Sequence, residues 1–357
     1  MDAKLKTPSG WISANEARSG MELASVDEQS SFVQEVFSQG ITTFYRVRFF
    51  DGRFLEVPGT QHWKVHFVHE YTEGSGAGIH NGWHTFTTDA IRTFCLNGSR
   101  RNGHRAVYVP LVNGDFGDDS SIPIDPWLLG VLIGDGGLTN GTPIVTSADQ
   151  EIVDRVATAI LPFGLHTERV TTNGEHRYGY RLSGHGFHRG NPNPLNAKLR
   201  DLGLIGLDSS QKFIPAPCLN AMKESRWELL RGLMDTDGTS GSNEEISYCT
   251  TSLQLAHDVQ QLVWSLGGIA NLGKPKAAWC TFKGERHYGK LAYIVLIHLP
   301  EREKAFTLTR KQVPKRKYQP RLRIETIEPV GQEESLHIAV SQPSKLVVMN
   351  DYIVTLS

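Results

Sequence analysis

The sequence lacks the features that define several protein classes. No run of ~18 apolar residues occurs in its 357 residues, so no membrane-spanning helix is expected. The first residues form no apolar signal region, and the cytoplasm of a bacterial cell is the expected location. The four cysteines are scattered without a Cys-x-x-Cys pair, which argues against a zinc site or a disulfide framework.

The chain also lacks the strongly positive charge of many nucleic-acid-binding proteins. Its net charge is −1, which is weak evidence against a nucleic-acid partner. The distribution of charge weakens the argument from net charge. Two stretches, residues 99–105 (SRRNGHR) and 310–323 (RKQVPKRKYQPRLR), are basic and contain no acid. Such stretches can neutralise phosphates. The alternative interpretation is that they are solvated linkers.

A nine-residue pattern occurs twice, about a hundred residues apart. LLGVLIGDG begins at Leu128 and LRGLMDTDG begins at Leu230. Both copies are largely apolar and carry small residues one helical turn apart, so each predicts a buried helix whose backbone can approach a neighbour closely. The small residues are Gly130 and Gly134 in the first copy and Gly232 and Thr236 in the second. The simplest arrangement packs the two helices against each other about a pseudo-two-fold axis.

Each copy ends in an acid followed by a glycine. Asp135 and Asp237 fall at the predicted helix C-termini, with Gly136 and Gly238 as expected C-caps. A carboxylate there faces the negative end of the helix dipole, and two neighbouring carboxylates repel each other. The arrangement becomes favourable if divalent cations lie between the acids, since Mg²⁺ takes one or two carboxylates plus substrate phosphates. The alternative is an apolar core helix pair with acidic caps.

The sequence around the two copies repeats as well. Thr146-Ser147 precedes a helical stretch at Ala148–Leu161, and Thr251-Ser252 precedes one at Leu253–Leu266. A basic strand region follows each helix. This duplication favours the metal-binding interpretation over the structural one.

The paired motifs resemble those of the LAGLIDADG homing endonucleases in their single-chain, two-motif form. The resemblance implies that Asp135 and Asp237 are catalytic and bind Mg²⁺, that Mn²⁺ can substitute, and that Ca²⁺ binds without cleavage. Ile133 and Asp235 match the less critical sixth motif position. The block starting at Lys212 (KFIP) is similar to one that carries a catalytic lysine in intein endonucleases; the alternative is a surface lysine. For a second-half lysine, the candidates Lys274, Lys276 and Lys290 remain open.

The flanking sequences resemble a protein-splicing (Hint) domain. Tyr45–His62 is similar to the strand pair that leads to the splicing histidine, here His62, and Leu336–Thr355 is similar to the last two splicing blocks, with His337 among them. Ala3 stands where an intein has its Cys or Ser nucleophile, and Leu356 and Ser357 stand where an intein ends in His-Asn. This chain is therefore expected not to splice, through engineering or natural decay. The splicing flanks are similar to those of phage and bacterial DNA-processing proteins.

The resemblance implies an α+β fold in which a two-motif endonuclease, a pseudo-two-fold mixed α/β saddle, is inserted in an all-β Hint domain. The expected ranges are 1–117 for the N-terminal Hint part, with a DNA-binding insertion at 71–115; 118–308 for the endonuclease, with halves 118–205 and 206–308; and 309–357 for the basic linker and C-terminal Hint part.

The expected function is Mg²⁺-dependent double-strand cutting of a long DNA site by a monomer, in a splicing scaffold whose parent joined host-protein exteins. The expected DNA contacts are Arg100, Arg101, Arg105, Arg169, Arg177, Lys274, Lys276, Arg286, Lys315, Arg316 and Lys317. Two alternatives stay open: a non-cleaving DNA-binding regulator of the same fold, and a splicing intein with a decayed nuclease.

Overall fold

The computed structural model describes residues 3–67, 82–93, 106–139, 141–172, 175–187, 191–241, 244–282, 285–317 and 319–357. These residues form two compact units. Unit I contains residues up to 118, residues 264–269 and residues from 319 onward. Unit II contains residues 119–263 and 270–317. In the described part, no helix is long and apolar enough to span a membrane.

The N-terminal part of unit I consists almost entirely of strands. Its elements are β1 (Lys4–Thr7), β2 (Gly10–Ser13), β3 (Glu22–Leu23), β4 (Ser31–Phe49), β5 (Phe54–Pro58), β6 (His62–Phe67), β7 (Gly82–Thr87), α1 (Thr88–Ile91) and β8 (Val107–Val109). Alternate residues of β6 (Trp63, Val65 and Phe67) are completely buried, as expected for strands with one face on a core.

Unit II is built from two similar halves. The first half contains α2 (Pro126–Asp135), β9 (Gly136–Gly137), β10 (Ile144–Thr146), α3 (Gln150–Ala159), β11 (His166–Thr172), β12 (Glu175–Ser183) and α4 (Pro194–Asp201). The second contains α5 (Ala216–Leu219), α6 (Lys223–Asp237), β13 (Gly238–Ser240), β14 (Ile246–Thr250), α7 (Leu253–Ser265), β15 (Ile269–Leu272), β16 (Lys276–Phe282) and β17 (Glu285–His298). The last two residues of α7 and the first residue of β15 are the exceptions, because they belong to unit I.

The sheets of the two halves have corresponding strand orders. The first sheet runs β11-β12-β10-β9, and the second runs β13-β14-β17-β15 with β16 also paired to β17. In both, the short strand that follows the motif helix is an edge strand beside the next strand in sequence. The predicted duplication of helix, strands and helix is therefore confirmed, and α3 and α7 lie within two residues of their predicted bounds.

The C-terminal strands return to the N-terminal part of the chain, as expected. They are β18 (Leu322–Val340), β19 (Leu346–Met349) and β20 (Ile353–Leu356). β18 pairs with β4 along most of its length, from the pair Ile324 and Phe49 to the pair Val340 and Val33. β19 pairs with β1. Unit I thus holds a four-stranded sheet, β2-β1-β19-β20, and a seven-stranded sheet, β3-β4-β18-β8-β6-β7 with β5 on β4.

Two expected boundaries differ from the structure. Unit II continues to residue 317 rather than ending at 308, because the first residues of the basic stretch pack into it. Residues 82–87 and 107–109 of the expected insertion at 71–115 form β7 and β8, which pair with β6 inside the seven-stranded sheet. The rest of that range, residues 71–81 and 94–105, lies outside the described residues.

Candidate functional site

The two motif helices, α2 and α6, touch at their backbones. A Cβ atom added to Gly130 would lie 2.4 Å from the carbonyl oxygen of Leu229, and one added to Gly232 would lie 2.1 Å from that of Trp127. The Cβ atom added to either glycine would also lie within 3.0 Å of the Cα atom of the other glycine. The predicted close approach is confirmed, and only glycine fits at these positions. This contact brings the two helix ends side by side.

Each motif helix ends directly in a strand. Gly136 (φ −76°, ψ 129°) and Gly238 (φ −78°, ψ 150°) are the C-caps, but both are extended rather than left-handed. Glycine is required there for another reason: an added Cβ would lie 2.2 Å from the carbonyl oxygen of Leu132 and 2.4 Å from that of Met234. The acid before each glycine is therefore fixed at a helix–strand junction.

The two predicted metal-binding acids and the predicted catalytic lysine line one cavity of about 280 Å³. The lining residues are Ile133, Gly134, Asp135, Ser209, Lys212, Asp237, Cys249, Thr250, Thr251 and Leu255. A Cβ added to Gly134, at the end of α2, would lie 3.2 Å from Oδ2 of Asp237 at the end of α6. The structure thus assembles both motif ends at one place.

Burial shifts the pKa of every charged group that lines this cavity. It raises the pKa of Asp135, against the opposing effect of Lys212 and Lys311. Burial, together with the charge of Asp135, raises the pKa of Asp237 to about 6. Burial lowers the pKa of Lys212 to about 8, although both acids oppose this. Two poorly hydrated carboxylates that repel each other form a site that gains stability when a cation binds.

Lys212 is a buried lysine that caps the first motif helix, and not a surface lysine. Its Nζ donates hydrogen bonds to the carbonyl oxygens of Leu132 (3.2 Å), Gly134 (2.8 Å) and Gly136 (2.7 Å). The positive charge therefore lies at the negative end of the α2 dipole and close to the acid that ends this helix.

Lys311 makes the corresponding contacts in the second half. Its Nζ lies 2.7–3.0 Å from four backbone carbonyl oxygens at the end of α6, those of Met234, Asp235, Thr236 and Gly238. Burial lowers the pKa of Lys311, as it does for Lys212. By position and by contacts, Lys311 is the pseudo-symmetric partner of Lys212.

The sequence contained a signal for this pair. Lys212–Pro215 reads KFIP and Lys311–Pro314 reads KQVP, so a lysine is followed two residues later by an aliphatic residue and then by proline. None of the three lysines considered for the second half shares this pattern. Lys274 and Lys276 are exposed, and Lys290 forms an exposed ion pair with an aspartate at 3.2 Å.

Each lysine-bearing loop joins the two halves. Ser252, before α7 of the second half, donates from its Oγ to the carbonyl oxygen of Lys212 at 2.6 Å, while the ammonium of Lys212 caps the first half. Conversely, Arg310 donates two hydrogen bonds of 2.7 Å to Asp149, before α3 of the first half, while Lys311 caps the second. Moving either half would therefore displace the lysine that serves the other.

The residues at the sixth motif position differ in role. Asp235 is buried, and its carboxylate accepts hydrogen bonds from Nε1 of Trp127 (2.8 Å) and from the backbone amides of Thr307 (2.8 Å) and Leu308 (3.2 Å). The hydroxyl of Thr307 donates to it as well. Ile133 is buried without any polar role. Asp235 thus holds the segment that leads to Lys311 against both motif helices.

Of the predicted DNA contacts on unit II whose side chains the structure describes, none lines the acid cavity. Arg100, Arg101 and Arg105 lie outside the described residues. On unit II, Arg169, Lys274, Lys276, Arg286, Lys315, Arg316 and Lys317 are exposed, and Arg177 lies on β12. Lys315 is 4.0 Å from a carboxylate of Glu303, and Arg316 is 3.7 Å from one of Glu244.

In unit I, most of the predicted splicing positions converge. Nε2 of Gln61, the residue before His62, donates to the carbonyl oxygen of Leu356, and Oγ1 of Thr355 donates to that of His62 at 2.9 Å. Gln61 and Ala3 line one cavity of about 430 Å³. The amide of Ser357 donates to the carbonyl oxygen of Lys345. His337 instead contacts the ring of Phe37 on β4, with centroids 4.9 Å apart.

The donor set of the acid cavity suits a hard divalent cation. Among the described residues, no group of three or more His, Cys, Asp or Glu side chains is placed to hold a metal ion. An ion between Asp135 and Asp237 would therefore take two carboxylates from the protein and fill its shell with other oxygens. That is the common way in which Mg²⁺ binds together with a phosphate-bearing substrate.

Comparison with known families supports the interpretation of the motifs. Residues 224–293, which include the second motif, match the family described as LAGLIDADG-like domain. The chain is 26% identical over 326 residues to the replicative DNA helicase DnaB of Mycobacterium intracellulare, covering 88% of this chain and 49% of that protein. It is 35% identical over 154 residues to DnaB of Rhodothermus marinus, covering 41% of this chain and 16% of that protein. The chain thus spans half or less of the length of these curated relatives.

Solved structures resemble parts of the chain. The homing endonuclease I-DmoI, in a crystal structure with DNA and Ca, is 15% identical and covers 50% of this chain and 85% of its own, with a TM-score of 0.31. The MchDnaB-1 intein is 19% identical and covers 27% of this chain and 60% of its own, with a TM-score of 0.19.

Proposed function

We propose that this chain, an intein-type LAGLIDADG homing endonuclease by family, cuts both strands of a long DNA site with the help of divalent cations. The observation that carries the proposal is the cavity at the paired helix ends. It holds Asp135 and Asp237 with raised pKa values, and each motif end is capped by a buried lysine. Such a costly arrangement of charges suits phosphodiester hydrolysis.

The two acids of the cavity and the two lysines that cap the motif helices have distinct tasks. Asp135 and Asp237 would hold Mg²⁺, which supplies charge stabilisation for the attacking and leaving oxygens of an in-line displacement. Lys212 and Lys311 offset the negative helix ends and keep the ionised acids compatible with burial. Their positive charges would also favour the negative charge that a phosphate gains during attack. The pseudo-two-fold repeat gives each DNA strand one acid and one lysine.

The exposed basic residues of unit II supply the contacts to the DNA backbone. Arg169, Lys274, Lys276 and Arg286 lie on or beside the strands of the two sheets. Neighbouring side chains of those strands would read base edges in the major groove, where each base pair shows a distinct pattern of donors and acceptors. Bending of the DNA would add specificity at steps that the protein does not touch.

Isosteric replacement of the acids tests the proposal. Asp135→Asn and Asp237→Asn should each abolish Mg²⁺-dependent cutting while leaving DNA binding in Ca²⁺ largely intact. The first substrate is a DnaB-coding sequence without an inserted segment, because the relatives that the chain matches carry that name. Asp154→Asn, at an exposed acid on α3, is the matched control and should cut normally. Retained double-strand cutting by either cavity variant would falsify the assignment.

The two lysines provide a second test. Lys212→Met and Lys311→Met should each slow the cutting of one strand more than the other, so that nicked plasmid accumulates before linear product. Lys290→Met removes an exposed ammonium and serves as the control. Equal slowing of both strands by each variant would argue against one lysine per strand.

The competing functions make different predictions. A non-cleaving regulator of this fold would bind the target with normal affinity and show no Mg²⁺-dependent product. The splicing alternative is tested at positions 3, 356 and 357, where the resemblance to a Hint domain expects the reactive groups. Ala3→Cys with Leu356→His and Ser357→Asn, expressed between flanking proteins, should restore ligated product if the parent spliced. The presence of both acids in one cavity favours the nuclease.

A further inference from the structure

Unit I carries a row of aromatic and basic side chains on the outer face of its seven-stranded sheet. Directly paired positions follow one another across the strands: Trp83 on β7 faces His66 on β6, His66 faces Tyr108 on β8, and Tyr108 faces Arg323 on β18. The amide of Phe50, at the end of β4, donates to the carbonyl oxygen of Arg323 at 3.0 Å. Since paired residues point to the same side of a sheet, this row forms one surface.

Strand alternation confirms that the row faces outward. The intervening residues Phe49, Val65, Val107 and Leu322 are buried in the core. In contrast, Trp83 is 50% exposed and Phe50 is 59% exposed. Phe54 on β5 is another exposed aromatic residue on this surface, where it pairs with Arg48. Exposed apolar residues that form a contiguous patch, in contrast to scattered single ones, mark interaction sites.

Cations lie over these rings. Arg323 lies 4.7 Å from the ring centre of Phe50, Arg321 lies 5.8 Å from that of Tyr108, and Lys64 lies 5.6 Å from that of Trp83. Arg48 lies 5.7 Å from the ring centre of Phe54.

In the described part of the chain, none of the cations of Arg48, Lys64, Arg321 and Arg323 forms an ion pair with a carboxylate. Two acids lie nearby: Glu56 pairs with Arg46, and Glu325 is exposed on β18. The surface therefore combines free positive charge with exposed rings.

We propose that this aromatic–basic surface, formed by Phe50, Phe54, Tyr108 and Trp83 with Lys64, Arg48, Arg321 and Arg323, binds single-stranded nucleic acid. Unstacked bases can stack on the exposed rings, and the cations can neutralise the phosphates between them. A duplex keeps its base faces stacked inside, so it cannot use the rings. From β7 to β4 the row crosses four strand intervals, or about 20 Å, which suits a few nucleotides.

All residues of this surface belong to unit I, whereas the residues of the acid cavity belong to unit II. Binding should therefore be measured on the full chain carrying Asp135→Asn and Asp237→Asn, so that cleavage does not interfere. Fluorescence anisotropy would compare labelled oligo(dT) and oligo(U) of about 15 nucleotides with a duplex of the same length. The oligo(dT) and oligo(U) arms distinguish a DNA strand from an RNA strand.

Trp83→Ala and Phe50→Ala should each weaken single-strand binding by about 5- to 150-fold, as expected for the loss of one stacked base. Arg323→Gln should also weaken binding. The slope of log affinity against log salt concentration should become shallower by slightly less than one, because one phosphate contact to the single strand is lost. Phe37→Ala removes another exposed ring, farther along β4, and is the matched control that should bind normally.

Three results would overturn the proposal. The first is no measurable binding of either single strand by the parent. The second is unchanged affinity in both aromatic variants with normal melting temperatures. The third is a preference for duplex that the same variants abolish, which would assign the surface to double-stranded DNA instead.

Discussion

Replacing Gly232 with alanine tests the helix contact on which the acid cavity depends. The new Cβ would meet the carbonyl oxygen of Trp127 at 2.1 Å, the amide nitrogen of Val131 at 2.9 Å and the Cα of Gly130 at 3.0 Å. All three are backbone atoms, so no side-chain rotation can relieve the overlap. Ordinary contact distances require α2 and α6 to separate by about 1 Å.

Two opposing effects determine how much Gly232→Ala changes the free energy of unfolding. Alanine favours a helix interior over glycine by about 1 kcal/mol. Overpacking of a well-packed contact typically costs about 1–3 kcal/mol, and backbone atoms place this case at the upper end. The free energy of unfolding of unit II should therefore fall by about 1–2 kcal/mol. The separation would also move Asp237 relative to Asp135, and a displacement of about 1 Å can cost about a hundredfold in rate.

Denaturant unfolding and plasmid cleavage would measure the two effects on the same protein. Gly141→Ala is the matched control, because a Cβ there meets nothing within 4 Å. The double variant Gly130→Ala with Gly232→Ala should lose less than the sum of the single variants, since the first separation makes room for the second. A stability gain for Gly232→Ala, as for an isolated helical glycine, would refute the proposed backbone contact.

Other predictions follow from the buried polar groups of unit II. Burial raises the pKa of Asp237 from 3.8 to about 6, so its ionisation lowers the free energy of unfolding as the pH rises from about 4 to 6. Asp237→Asn should therefore be more stable than the parent at pH 7, by about 3 kcal/mol at most, and the two denaturation midpoints should converge near pH 4. Asp235→Ala should destabilise by about 3 kcal/mol or more, because it leaves buried donors of Trp127 and Thr307 unpaired; a small change in denaturant midpoint would contradict this. The hydroxyl of Tyr248 is buried and has no hydrogen-bond partner among the described residues, so Tyr248→Phe should leave the melting temperature unchanged or raise it, and a clear decrease would reveal a partner.

The helix pair could be predicted from the sequence because its signal is local and occurs twice. The spacing of Gly130 and Gly134, repeated by Gly232 and Thr236, within apolar runs predicts both the helices and their close contact. The acids at their ends followed from the same pattern. The conformation of Gly136 and Gly238 could not be predicted in this way, since the need for glycine comes from a carbonyl oxygen of the preceding turn rather than from a positive φ.

Lys311 shows what local reasoning misses. In sequence it lies in a run of basic residues, and such runs are usually solvated. In the structure it is buried because four carbonyl oxygens at the end of α6 accept its hydrogen bonds, while Arg310 anchors the same loop to Asp149. Those partners are 73 to 161 residues away in sequence. In the sequence, only a comparison of residues 311–314 (KQVP) with the KFIP block at Lys212 would have revealed that Lys311 is the counterpart of Lys212.

The pattern of differences between the halves supports a functional origin of the symmetry. Ile133 corresponds to Asp235, and Val145, opposite Gly136, corresponds to Tyr248, opposite Gly238, so core positions of the repeat have diverged. A helix C-terminus carries about half a negative charge, and a buried carboxylate placed there adds to it. Stability alone would favour loss of the acids, yet both halves retain an acid and a buried lysine at this costly position. A charge arrangement that folding penalises twice, beside core residues that differ between the halves, is best explained by a cation that binds between the two acids.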